Sequence, residues 1–278
     1  MMERVSKPGR ETPPTPSWAG YENVPEAVGG AAARPWWDDN AAEYLAEHGR
    51  FLGDADFRWG PEGLTEAEAG LLGDVAGAHV LEVGAGAAHC SRWLAGRGAR
   101  VVATDVSAAM LDNAARLNAA TDVAVPLVEA DARSLPFADA TFDVVFTSYG
   151  AIPFVPDAAR VHGEAARVLR AGGRWVFSVT HPLRWAFPDD PTRLGLTANR
   201  SYFDRRPYVE TDDTGRVVYA EYHRTLGDHV RDVVGAGLRV RDVVEPEWPA
   251  WNDQVWGGWG PERGEYLPGT AIFVTTKD

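Results

Sequence analysis

The chain has 278 residues, 45% of them hydrophobic and 24% charged, a balance able to bury the core of one large domain. A formal net charge of −13 without a basic stripe argues against a nucleic-acid enzyme, and no apolar stretch is long enough to span a membrane. One cysteine, Cys90, excludes an internal disulfide and a cysteine-rich metal site, and residues 1–20 lack the apolar region of a secretion signal, so a cytoplasmic protein is expected.

Residues 1–33 are rich in Pro, Gly and Ala, with Pro13-Pro14-Thr15-Pro16 near the start, and read as a flexible arm that orders only where it packs on a neighbour. Residues 34–278 read as a single domain. Its first part, 34–75, is a helical cap: residues 38–48 form a helix with Tyr44 and Leu45 inward, and Phe57-Arg58-Trp59-Gly60-Pro61 is a loop. Thr65 then caps a second helix, with Glu68 completing a capping box. Short apolar runs follow at 79–83, 101–105, 126–129, 142–147 and 174–180, with helices expected over 89–97, 108–118 and 158–169. Apolar runs separated by helices describe a doubly wound α/β fold, its mostly parallel sheet covered on both faces. Residues 182–225 interrupt the rhythm as a lid insertion, in which 208–210 and 217–223 flank Asp212-Asp213-Thr214-Gly215 as a hairpin. A helix over 226–236, a sixth strand over 238–245 and a seventh over 270–276 complete the domain.

The turn after the first strand of that sheet carries Glu82-Val83-Gly84-Ala85-Gly86. Glycines at such a turn let a ligand approach the backbone at a helix N-terminus. A dinucleotide site wants a third glycine, and His89 stands in its place. Asp105 closes the second strand, 19 residues after Gly86, where a carboxylate accepts both hydroxyls of a ribose; taken alone it is equally a helix N-terminal acid. Asp131, in Glu129-Ala130-Asp131-Ala132, can accept from an adenine amino group or be a surface carboxylate. The fourth signal is Phe142-Asp143-Val144-Val145-Phe146-Thr147-Ser148-Tyr149.

In their order and spacing these four motifs resemble the class I S-adenosylmethionine-dependent methyltransferases, in the small-molecule branch with the E-x-G-x-G turn, from about residue 64 to the end. Leu135-Pro136-Phe137-Ala138-Asp139 and Ala166-Arg167-Val168-Leu169-Arg170-Ala171-Gly172-Gly173 add to the likeness. The resemblance implies a seven-stranded sheet with its last strand antiparallel, S-adenosylmethionine as cofactor and S-adenosylhomocysteine as product. It implies that Glu82, Gly84, Ala85 and Gly86 pass close to the methionine moiety and that Asp105 and Val106 hold the ribose. Asp131 and Ala132 would contact adenine, with Met110 either against it or in the core, and Thr147, Ser148 and Tyr149 would border the sulfonium. By analogy of topology, Tyr44 and Trp59 close over the cofactor.

A small organic acceptor should lie beyond the carboxyl ends of the strands. His181, directly after the fifth strand, is the candidate base or else a capping histidine, and Tyr149 orients the acceptor or acts as a lid aromatic. Arg184 either binds an acceptor carboxylate or pairs with Asp189 or Asp190. Trp248, Trp251, Trp256 and Trp259 crowd twelve residues between the last two strands. They wall an aromatic pocket, cage an ammonium, plug the sheet edge or form a subunit interface. Metal dependence is not expected, because the position after strand four carries Thr-Ser-Tyr rather than carboxylates. The arm and Trp36-Trp37 are candidate homodimer contacts. Two other readings stay open: an NAD-dependent oxidoreductase and a non-catalytic S-adenosylmethionine-binding protein. The first is disfavoured by the absence of any lysine between Lys7 and Lys277, which removes Tyr-Lys chemistry.

Overall fold

A computed structural model describes residues 16–278. The elements in chain order are β1 (Trp18–Tyr21), α1 (Glu26–Leu52), α2 (Glu66–Ala69), β2 (His79–Val83), α3 (His89–Ala95), β3 (Arg100–Asp105), α4 (Ala108–Thr121), β4 (Leu127–Glu129) and β5 (Phe142–Ser148). They continue with α5 (Ala158–Val168), β6 (Leu169–Thr180), β7 (Tyr208–Thr211), β8 (Val217–Glu221), α6 (Leu226–Gly235), β9 (Leu238–Val244), α7 (Pro261–Gly264) and β10 (Thr270–Lys277).

Seven of these strands form one sheet in the order β4-β3-β2-β5-β6-β10-β9. The pairs from β4 through β6 are parallel, and β10 runs antiparallel to both neighbours. The order reverses between β2 and β5, so the chain leaves a crevice at the carboxyl ends of these strands. Strand side chains alternate between the two faces. Trp175, Phe177, Phe273, Leu81 and Val83 point to the α5 and α6 side, where Phe177 stacks on Phe273 at 4.7 Å and 8°. Val80, Phe146, Val176 and Ile272 point to the other, where Leu94 of α3, Ala114 of α4 and the buried rings of Phe57 and Trp59 cover them.

The expected hairpin is β7 and β8, which join β1 in a separate three-stranded antiparallel sheet. The capping box of Thr65 and Glu68 forms as its spacing predicts, and Thr225 and Asp228 make a second one at the start of α6. Strand β6 begins earlier than expected, at Leu169.

The N-terminal arm needs correcting. Residues 1–15, including most of the proline stretch, lie outside the described residues, but β1 pairs with β7 and α1 starts at Glu26 rather than at residue 38. The helix runs through Pro35, and its Gly29 faces the Tyr222 side chain, where a Cβ would lie 2.0 Å from the hydroxyl oxygen. Trp36 and Trp37 pack within the chain, Trp36 against Tyr219 of β8 at 4.9 Å and Trp37 against Phe154 at 5.3 Å. Among the described residues no helix is long and apolar enough to cross a membrane.

Candidate active site

A cavity of about 1280 Å³, part of it open to solvent, lies over the carboxyl ends of β2, β3, β4 and β5. Each strand end contributes: Glu82 and Gly84–Ala87 from β2, Asp105 and Val106 from β3, Ala130–Arg133 from β4, and Ser148–Ala151 from β5. Helix α1 closes the top with Gly30, Ala33, Trp37 and Tyr44, spaced three, four and seven residues apart and therefore on one helical stripe.

The glycine turn takes the left-handed backbone that a cradle requires. Gly84 and Gly86 have φ of 66° and 53°, a region that other residues reach only at a cost. A Cβ on Gly84 would meet the Ala151 backbone nitrogen at 2.8 Å, and one on Gly86 would meet the Met110 methyl at 3.0 Å. Tyr149 and Ala151 also adopt positive φ, 59° and 52°, so the turn after β5 is held in a sparsely populated conformation at the cavity edge.

Asp105 is buried and accepts from the Gly86 N–H at 2.7 Å and the Ser107 N–H at 2.9 Å. Burial pushes its carboxyl up, against the pull of those two donors. Glu82 accepts from the Ser91 N–H at 3.0 Å and from the Ser91 hydroxyl, and burial pushes it up to about 7. Asp131 already carries Arg133, which donates to it from Nη2 at 2.7 Å and Nε at 3.0 Å; these bonds hold its carboxyl below the usual range. Its capacity for an adenine amino group is therefore shared with Arg133, a partner the motif did not suggest.

Other lining residues carry no sequence motif. Asp56 pairs with Arg58 at 3.0 Å. His89, the residue in the third-glycine position, is 7% exposed, and both its ring nitrogens lack a partner. Burial, helped by nearby Arg92, brings its pKa down to about 4, so the ring is neutral. Spacing back from Tyr44 at helical intervals would have found Trp37, Ala33 and Gly30; nothing local marks Asp56 or Arg58, and His89 stands out in the sequence only as the missing third glycine.

Thus Tyr44, Glu82, Gly84, Ala85, Gly86, Asp105, Val106, Met110, Asp131, Ala132, Ser148, Tyr149 and Trp256 border one cavity. Six expected site residues lie outside it. Trp59 is wholly buried and donates to Glu66 at 2.8 Å, filling the core between Phe57 and Phe146. Thr147 is wholly buried beneath the turn at Gly150. His181, also wholly buried, bonds Glu245 at 2.7 Å and accepts the Leu183 N–H, so its ring pins a turn rather than facing an acceptor. Arg184 pairs with Asp189 at 3.2 Å and approaches Glu221 at 3.9 Å. Trp248 donates to the Asn252 carbonyl, and Trp251 faces solvent at 64% exposure. Of the crowded tryptophans only Trp256 reaches the cavity; Trp259 is buried under Arg263. The Tyr149 hydroxyl donates to the Gly269 carbonyl at 3.2 Å and bonds Thr270, turned toward β10.

The donor set fits a nucleoside ligand bearing positive charge. The glycine cradle admits it, Asp105 stands at the end of the neighbouring strand, and Glu82 and Asp105 form no ion pair among the described residues. Among those residues, no group of three or more His, Cys, Asp or Glu could hold a metal ion.

Residues 81–177 match the model of a methyltransferase domain family. A demethylmenaquinone methyltransferase of Thermobifida fusca is 40% identical over 112 residues, covering 40% of this chain and 47% of that protein. The enzyme of that name from Clavibacter sepedonicus is 43% identical over 102 residues, 37% of this chain and 41% of its own length. The chain thus spans less than half of these curated relatives. Among solved structures, a putative S-adenosylmethionine-dependent methyltransferase from Listeria monocytogenes superposes with a TM-score of 0.62 at 23% identity, over 76% of this chain and 94% of that one. The 1,6-didemethyltoxoflavin-N1-methyltransferase of Burkholderia thailandensis, solved with its acceptor and S-adenosylhomocysteine, gives 0.59 at 17% identity over 94% and 95%. At these identities the likeness is one of fold.

Proposed function

We propose that this chain, whose core is a methyltransferase domain on the class I methyltransferase fold, binds S-adenosylmethionine and transfers its methyl group to O, N or C of a small organic acceptor. The observation that carries the reading is that the Gly84-Ala85-Gly86 turn, Asp105 and Asp131-Ala132 converge on one cavity from the ends of three adjacent parallel strands. When bound, the cofactor would supply a methyl carbon made electrophilic by sulfonium, open to in-line attack by an electron pair of the acceptor, with the sulfur as leaving group and the acceptor's proton lost to solvent. In this chain Gly84 and Gly86 keep the cradle free of side chains, and Asp105, oriented by Gly86 and Ser107, accepts from the ribose hydroxyls. Carboxylates at Glu82 and Asp105 favour a cation between them. Helix α1 roofs the cavity along its stripe, and alignment rather than a dedicated nucleophile is what the protein provides.

Thermal unfolding with S-adenosylmethionine, S-adenosylhomocysteine and NAD, each added separately, tests this. At a hundredfold over its dissociation constant a ligand stabilises by roughly 2.7 kcal/mol. Both sulfur nucleosides should raise Tm and NAD should not, and Asp105→Ala should remove the shift. A shift with NAD alone would make the chain a dehydrogenase, and a shift without formation of S-adenosylhomocysteine with any acceptor would make it a binder.

A further inference from the structure

Four aromatic side chains from three separated segments border the cavity: Trp37 and Tyr44 of α1, Phe154 after β5, and Trp256 between β9 and β10. Trp37 meets Phe154 at 5.3 Å and 84° and Tyr44 at 5.4 Å and 83°; Tyr44 meets Trp256 at 6.1 Å and 69°. These edge-to-face contacts lock each ring against the next. The set is backed from outside as well, with Trp36 against Trp37 at 4.8 Å and the buried His48 ring stacked on Trp256 at 3.9 Å and 9°. A rigid wall of rings presents flat apolar surface at little entropic cost on binding.

The charges bordering the same cavity narrow what that surface can take. Its two arginines are already neutralised, Arg58 by Asp56 at 3.0 Å and Arg133 by Asp131 at 2.7 Å. Arg184, which an acceptor carboxylate would have needed, lies outside and is paired with Asp189. An anionic acceptor therefore finds no uncommitted cation among the described lining residues, and it meets the acidic groups Asp105 and Glu82, the latter only partly ionised near neutral pH. A cationic amine is disfavoured for a different reason: its lone pair is protonated, and it would have to approach a sulfonium.

We propose that the acceptor is a flat, uncharged aromatic or heteroaromatic molecule lying against Trp37, Phe154 and Trp256, with Trp37 as the principal specificity-determining residue. The proposal rests on the methyltransferase reading. The test is isothermal titration of the S-adenosylhomocysteine-loaded protein with 2-naphthol, with 2-naphthoate (the same rings bearing a charge) and with choline. Naphthol should bind, naphthoate at least tenfold more weakly, and choline not detectably. Trp37→Ala should weaken naphthol tenfold or more, a larger loss than any it causes in affinity for S-adenosylhomocysteine. Phe154→Leu, a milder change, should act in the same direction if Trp37→Ala does not fold. Tighter binding of choline or naphthoate would overturn the proposal. So would no binding of naphthol by loaded protein, or unchanged naphthol affinity in the folded variants. If S-adenosylhomocysteine itself does not bind, the cofactor reading fails first and the acceptor proposal falls with it.

Discussion

Burying a carboxyl such as Glu82 favours its neutral form, while both donors from Ser91 favour its charged one. Burial prevails and the group titrates at about 7. The folded value therefore lies above the ordinary 4.5, so its stability contribution is fully present below pH 4.5 and is lost as pH rises through about 7. Glu82→Gln keeps an oxygen for Ser91 and removes the titration. We expect the variant to lose less stability than the parent between pH 5 and pH 8, by on the order of 1 kcal/mol or more, seen as a smaller fall in Tm. Calorimetry at three pH values measures it, and parallel profiles would show that Glu82 is ionised throughout. Glu82, Gly84, Gly86 and Asp105 were legible because the chemistry of a strand-end turn is local. For His181 and Arg184 the local alternatives hold, a cap on the Leu183 N–H and a pair with Asp189, while Glu245 and Glu221, far along the chain, complete environments that the sequence leaves unassigned.

Helix α1 is the element on which the cavity depends, and polar pins hold it. Asp38 accepts from the Ser107 hydroxyl at 2.6 Å and the Ala109 N–H at 3.1 Å. Asn113 donates to the Ala41 carbonyl at 2.9 Å, and Arg34 pairs with Glu129. The same Ser107 orients Asp105, so the helix is tied to the proposed ribose acceptor through one residue. Asp38→Ala leaves the Ser107 hydroxyl and Ala109 N–H without this partner, at a cost of about 1–3 kcal/mol. A Tm lowered by several degrees, with weaker S-adenosylhomocysteine binding and an unchanged far-ultraviolet spectrum, is the expected outcome. Binding as tight as in the parent would show that α1 covers the cavity without shaping it. The first half of this helix was not legible, because Gly29, Gly30 and Pro35 are what local propensity reads as a break. Contact with Tyr222 and Phe154, far along the chain, outweighs that propensity.

Across the whole molecule the seven-stranded sheet is the floor, while α1, backed by β8 of the three-stranded sheet, and the loop carrying Trp256 form a cover made of distant segments. Ligand in the cavity should slow amide hydrogen exchange in α1 and around Trp256 and leave β5, β6 and β10 unchanged, as mass spectrometry with and without S-adenosylhomocysteine would show. Slowing spread evenly over the sheet would instead indicate global stabilisation alone. The sequence by itself determined the alternation of strands and helices, the glycine turn and the acids at the strand ends, because each depends on residues within a few positions of one another. Which aromatic rings wall the cavity and which histidine is buried unpartnered were decided only by tertiary structure. Those contacts join residues far apart in the chain, such as Tyr44 with Trp256, and packing, not spacing, selects among the partners the composition offers.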